Sequence, residues 1–208
     1  MKNIFYFAII LSLVFASSCS KNKDDGTWNT SLGKAKFATN QIWEISDGSI
    51  TQKWSDVVEI VGAKDNYEGY NSTDGYKIDF RANKLGYKGS LFSWRAVAET
   101  ANLCPPPWRV PTKDDFVNLD IAMCGGDGSD RTLPFDVSKY LDTWGGAFGG
   151  SCDSNGLLTN QDNFGNYWSQ SEFDGDLGFR LSFGTNGNIR PQNRDGKRYG
   201  FTLRCVRN

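Results

Sequence analysis

The chain opens with Lys2 and then an apolar run from Ile4 to Phe15, broken only by Ser12, which passes into the small residues Ala16-Ser17-Ser18. A positive start, a short hydrophobic stretch and a small-residue cleavage zone make a secretory signal. The run is too short to cross a bilayer as a helix, which takes about 20 apolar residues. Residues 1–18 are therefore expected to be removed on export. Whatever follows must fold in an oxidising compartment, where thiols pair.

Cys19 follows the cleavage zone directly. Small residues ending on a cysteine resemble the lipobox of bacterial lipoproteins, whose cysteine carries the acyl (palmitate) chains. Ala16 stands where leucine or valine is usual, a departure that relaxed lipoboxes tolerate. The alternative is an ordinary secretory cut near Ser18, with Cys19 incidental. The next segment, Ser20 to Asp25, is charged and without apolar grip, so it reads as a tether. Its lysine-plus-acidic character resembles the signals that carry lipoproteins of the Bacteroidetes to the outer cell surface. The expected organisation is a signal peptide over 1–18, a lipidated tether over 19–38 and one domain over 39–208. The resemblance implies lipid anchoring in the outer membrane with the domain exposed at the cell surface. Acyl chains contribute about 0.8 kcal/mol per buried methylene to such an anchor.

Five cysteines make an odd number for an exported chain. Acylation of Cys19 would leave Cys104, Cys124, Cys152 and Cys205 for two disulfides, and three connectivities are open. With no CxxC spacing, these four are not expected to hold a metal. Histidine is absent from the whole chain. That excludes Ser-His-Asp and Cys-His catalysis and His-ligated zinc, and it removes the easiest general base near neutral pH. No enzymatic activity and no cofactor are expected. Acidic and basic residues nearly balance, 24 against 23, which argues against nucleic acid as a partner. High glycine and 14% aromatics suggest a loop-rich fold containing strands.

Along the chain, Gln41 to Ile45 alternates apolar and polar residues and predicts a strand. Trp54 to Val61 is ambiguous, because Trp54, Val57, Val58 and Val61 also fit helical spacing. Residues 62–89 read mostly as loop, with a strand-like piece from Tyr76 to Phe80. A helix is predicted from Phe92 to Leu103, ended by Cys104 and three prolines that favour an extended segment. A second helix is predicted from Lys113 to Met123, with Thr112 as N-cap and Asp115 completing a capping box. Val137 to Leu141 suggests one helical turn. Strands are predicted at Tyr167 to Ser171, Gly178 to Phe183 and Tyr199 to Val206. Strands on both sides of a helical pair give an α+β expectation.

Three stretches together resemble a known family. Leu103 to Thr112 (LCPPPWRVPT) matches a C-P-x-G-W-x-x-P-[ST] pattern, and Trp168 to Glu172 (WSQSE) matches W-S-S-[ST]-E. Tyr199 to Arg207 (YGFTLRCVR) matches a closing Y-G-F-x-[VL]-R-C-V-[RK]. In this order they resemble the Fibrobacter succinogenes major paralogous domain, over roughly residues 40–208. Pro107 departs from the family's glycine and Arg109 from its histidine. The resemblance implies a C-type-lectin-like fold, also that of the formylglycine-generating enzyme: two helices packed on a loop-rich twisted antiparallel sheet. It also implies the pairing Cys104–Cys205 with Cys124–Cys152, since such folds tie an early helix to the last strand. Full pairing would make the reactive-cysteine chemistry of the formylglycine-generating branch unavailable.

Three surfaces stand out as candidate sites. Glu172, Asp174 and Asp176 alternate as calcium ligands do, but Leu177 and Phe183 fall where an EF-hand needs glycine and glutamate. A solvated turn is expected, and no metal. Arg190, Arg194, Lys197, Arg198, Arg204 and Arg207 form a basic C-terminal region that could attract acidic glycans. Trp144, among glycines, could stack on a sugar or pack in the core. The residues carried forward for ligand binding are Trp144, Arg194 and Arg198. The expected function is a surface-anchored, non-enzymatic binding or adhesion module for a glycan or a host or partner protein. The alternative is a structural accessory subunit of a surface assembly, such as a pilus or a polysaccharide-handling complex.

Overall fold

In the computed structural model of the chain, residues 26–71, 73, 75–131 and 135–208 are described. The signal segment and Cys19 lie outside them. Thr27–Thr30 (β1) and Gly33–Phe37 (β2) form an antiparallel hairpin, and β2 extends a sheet with Ala35 opposite Ile60. This corrects the expected tether where it falls on residues 27–37; its residues 19–25 lie outside the described ones. Ala35 is fully buried, the Trp28 ring lies 4.7 Å from that of Phe37, and Trp28 Nε1 donates to the Asn102 carbonyl at 2.9 Å. The hairpin's polar composition hid it: Thr27, Asn29, Lys34 and Lys36 share one face, opposite the face that carries Trp28, Ala35 and Phe37.

Ile42–Ser46 (β3) lies within one residue of its predicted place. Thr51–Ile60 (β4) settles the ambiguous segment as a strand. Its Lys53 and Trp54 pair with β3 across one edge, and with a C-terminal strand across the other. Every residue from Trp54 to Val58 is buried. The strand is covered on both faces and therefore lacks the alternation that marks a half-exposed one.

Residues 62–92 contribute two short ladders. Tyr70–Asn71 (β5) pairs with Gly75–Tyr76 (β6), and Phe80–Ala82 (β7) pairs with Ser90–Phe92 (β8). The first helix, α1, spans Trp94–Glu99, shorter than the predicted Phe92–Leu103. Ser93 caps it, and Phe92 instead bridges to Phe201 within a ladder. The proline segment is not extended either: the Pro106–Pro107 peptide is cis, and Trp108 N donates to the Pro105 carbonyl at 2.8 Å. The second helix, α2 at Lys113–Cys124, has the predicted capping box of Thr112 and Asp115. Gly125 ends it at φ 69°, a left-handed cap that favours glycine.

Lys139–Thr143 makes one π-helical turn, overlapping the predicted helical turn. Ser151–Cys152 (β9) pairs with Leu158–Thr159 (β10). Phe164–Glu172 (β11), Leu177–Gly184 (β12) and Ile189–Gly196 (β13) form a three-stranded antiparallel sheet in that order. The third strand, IRPQNRDG, carries no apolar alternation and was not expected. Pro191 sits there on an edge strand, where its register with β12 shifts, a position that tolerates the missing N–H. Arg204–Arg207 (β14) is shorter than predicted, because Phe201 and Thr202 make only single bridges, to Phe92 and Tyr167.

The architecture is α+β, with mostly antiparallel sheets and, among the described residues, two α-helices. Two clusters make most of the core. Val58, Phe92, Val97, Trp168, Phe201 and Leu203 pack around α1. Trp54, Phe116, Leu119, Trp144, Leu181 and Phe183 pack around α2. Strand β4 feeds both, with Val58 and Ile60 in the first and Trp54 and Val57 in the second.

Cys104 and Cys205 form the expected disulfide, Cα atoms 5.8 Å apart, tying the segment after α1 to β14. The expected Cys124–Cys152 bridge is corrected: both thiols are free. Cys124 closes α2 beside the second cluster, whereas Cys152 is buried with Tyr67 and Leu91 in a third. Separate packing environments hold the two sulfurs apart.

Candidate functional site

A cleft of about 300 Å³ opens where β3, β4 and the glycine-rich loop after the π-helical turn meet. Trp43 of β3, Asp56 of β4, Asn83 and Tyr87 of the loop before β8, and Gly145 line it. Gly145 has φ 69°, and a Cβ there would overlap the Trp43 indole. Only glycine satisfies both the backbone and this close approach.

The floor is built on Arg204. Its guanidinium is fully buried between two indoles, 4.2 Å from the Trp43 centroid and 4.3 Å from that of Trp144. Its Nε donates to the Ser55 carbonyl at 2.6 Å and its Nη1 donates to the Trp144 carbonyl. Burial lowers the guanidinium from 12.5 to about 10, against the opposing influence of Tyr167 and Asp56. It stays cationic at neutral pH. Asp56 is itself buried, with Oδ1 accepting from the Val57 amide at 2.8 Å and Oδ2 accepting from the Thr39 hydroxyl at 2.6 Å. These two bonds fix the carboxylate at the cleft wall.

The opposite wall is held by a loop with two left-handed non-glycine residues, Asn160 (φ 58°) and Asp162 (φ 64°). Asp162 Oδ1 accepts from the Tyr87 hydroxyl at 2.6 Å, and Gln161 Nε2 donates to Asn83 Oδ1 at 2.9 Å. Burial and the Asp162 carboxylate both raise the Tyr87 phenol, so it remains a neutral donor. Gln41 and Lys88 stand exposed at the rim. The cleft therefore combines two half-exposed aromatic rings with carboxamide, carboxylate, hydroxyl and ammonium groups.

The residues expected to bind ligand lie elsewhere. Trp144 has no exposed surface and packs at 4.8 Å from Tyr167 and 5.4 Å from Trp54, which corrects its expected role as a stacking platform. Its contribution is indirect, through Arg204. Arg194 is exposed over Phe173 at 4.2 Å, and Arg198 lies over Tyr199 at 5.2 Å. Neither lines the cleft. The basic C-terminal region is not one face, since Lys197 and Arg204 are buried.

The acidic turn is satisfied internally. Glu172 pairs with Lys197, Asp174 Oδ1 accepts from the Asp176 and Leu177 amides at 2.8 Å, and Asp176 accepts from the Tyr76 hydroxyl at 2.8 Å. Among the described residues no group of three or more metal-ligating side chains converges. Sequence reasoning missed Tyr87 and Asn83 because they come from an aperiodic stretch. Trp43 carried a signal, being a large ring inside a short alternating strand.

Compared with models of protein families, with curated proteins and with solved structures, the chain gives no match.

Proposed function

We propose that the chain is a lipid-anchored, surface-exposed binding module that recognises a glycan in the Trp43–Tyr87 cleft without chemical turnover. The observation that carries this reading is the pairing of two half-exposed rings with fixed polar groups in one open concavity. Sugars present apolar C–H faces and hydroxyl edges together, so they need both kinds of surface at once. Pockets with aromatic walls and a few oriented polar groups are the usual form of small-ligand sites. The export signal, Cys19 and the charged segment behind it support anchoring at the outer surface. The motifs Leu103–Thr112, Trp168–Glu172 and Tyr199–Arg207 support a place in the Fibrobacter succinogenes major paralogous family. The helix-to-last-strand disulfide is in keeping with its lectin-like fold.

The test is a glycan and mucin array probed with the chain from residue 20 onward, as wild type and as Trp43→Ala. Selective binding that disappears in the variant is the expected result. A blank array at high protein concentration would overturn the glycan reading. The accessory-subunit alternative would then be pursued by crosslinking on intact cells.

A further inference from the structure

A second cleft, of about 340 Å³, lies on the three-stranded sheet beyond the Asn160–Asn163 loop. Its lining includes Arg180 of β12, Arg190 and Asn193 of β13, Asn166 of β11 and Asn160. Two arginines face one acid there, Asp195.

Arg180 is almost wholly buried. Its Nη1 donates to Asn166 Oδ1, its Nη2 pairs with Asp195 Oδ2 at 3.1 Å, and its Cζ sits 4.8 Å from the Phe201 ring. The Nε remains buried without a hydrogen-bond partner among the described residues. A buried guanidinium donor left unmatched is destabilising, because it has given up water without gaining a partner. Burial also lowers Arg180 below the usual arginine value, with Asp195 opposing. Arg190, half-buried in the same cleft, makes no side-chain ion pair or side-chain hydrogen bond among the described residues. After Asp195 and Asn166 have met the Arg180 fork, the Arg190 charge and the Arg180 Nε are left over.

An oxyanion supplies what is missing. A carboxylate presents two acceptor oxygens in a plane that suits a guanidinium fork. Around the arginines, the amides of Asn160, Asn188 and Asn193 form a neutral polar rim able to meet sugar hydroxyls. We infer that this cleft binds the carboxylate of an acidic saccharide, with Arg180 and Arg190 as its cationic contacts. The inference stands on a different set of side chains from the Trp43–Tyr87 cleft, and either site can fail without the other.

The test follows the arginine Nε–Hε resonances of the full-length chain, purified in detergent, on addition of sodium glucuronate, sodium sulfate or glucose. Glucuronate is expected to shift the Arg180 resonance and glucose to leave it in place. Arg190→Gln should weaken glucuronate binding at least about ten-fold, equivalent to about 1.4 kcal/mol. An unmoved Arg180 resonance, or full affinity in Arg190→Gln, overturns the inference. Equal response to sulfate and glucuronate overturns the saccharide assignment, since a bare anion would then account for the site.

Discussion

Trp43 covers the guanidinium of Arg204 at 4.2 Å, so one wall of the open cleft rests on a charge buried in the core. Trp144 covers the opposite side at 4.3 Å. The exposed ring and the buried charge are therefore one unit, and changes to either reach the other.

Trp43→Ala is expected to remove a cation–π contact of about 1–2 kcal/mol together with part of the cleft wall. The protein should remain folded in urea titrations, with a modestly lower midpoint. Affinity for any glycan found on the array should fall by roughly ten-fold or more. Undiminished binding would place the ligand elsewhere.

Arg204→Ala strips the Ser55 and Trp144 carbonyls of their donor, and each unmatched buried acceptor costs about 1–3 kcal/mol. It also leaves a cavity between two indoles. A total loss of roughly 3–5 kcal/mol is expected, measured by denaturant unfolding. Arg204→Lys should recover little, because an ammonium cannot stack on two rings while meeting both carbonyls. Wild-type stability in the lysine variant would count against this account.

The disulfide arrangement can be counted. Unfolded without reductant, the chain from residue 20 onward should expose two titratable thiols, those of Cys124 and Cys152. In the folded state Cys124, which is half-buried, should react first. Burial pushes the Cys152 thiol up to about 12, so it should react only on unfolding. Finding no free thiol would restore the second bridge. Replacing Cys104 and Cys205 together should cost about 2–5 kcal/mol, since they close a long loop.

Asp115 links the capping box to acid stability. Burial pushes its carboxyl up, but Arg109 at 2.6 and 2.8 Å and the Thr112 amide and hydroxyl, each at 2.7 Å, bring the net value below 3.8. A carboxylate depressed in the folded state stabilises fully above its unfolded value and loses that contribution as pH falls through the folded one. Thermal melts should show wild type well above Asp115→Asn at about pH 6, with the gap closing below about pH 4. A gap independent of pH would mean that the aspartate acts by shape alone.

Legibility followed the range of the interactions. The second helix was readable because Thr112 and Asp115 act across three residues of chain. Strand β3 was readable because it buries one face and so alternates, whereas β11 and β12, buried over consecutive residues, were readable from their aromatic and apolar content. Three other elements escaped for stated reasons. The β1–β2 hairpin has too few apolar residues to outweigh its lysines and threonines. β13 is polar because it is an edge. The first helix lost its first residues to the strand contacts of Phe92 with Phe80 and Phe201, and it stops at Glu99 where Thr100 turns extended. At the site, Trp144 took the packing alternative, while Arg204, which looks exposed in a basic tail, is buried beside it. Both are buried where β4, β14 and the glycine loop converge.

By itself the sequence determined the absence of histidine, the α+β class and the capped second helix. All of these depend on composition or on neighbours a few residues apart. Tertiary structure alone decided which cysteines meet, which arginine is buried and where a cleft opens. Those outcomes depend on residues such as Trp43, Tyr87 and Arg204, which are distant in the chain and acquire their roles only when packing brings them together.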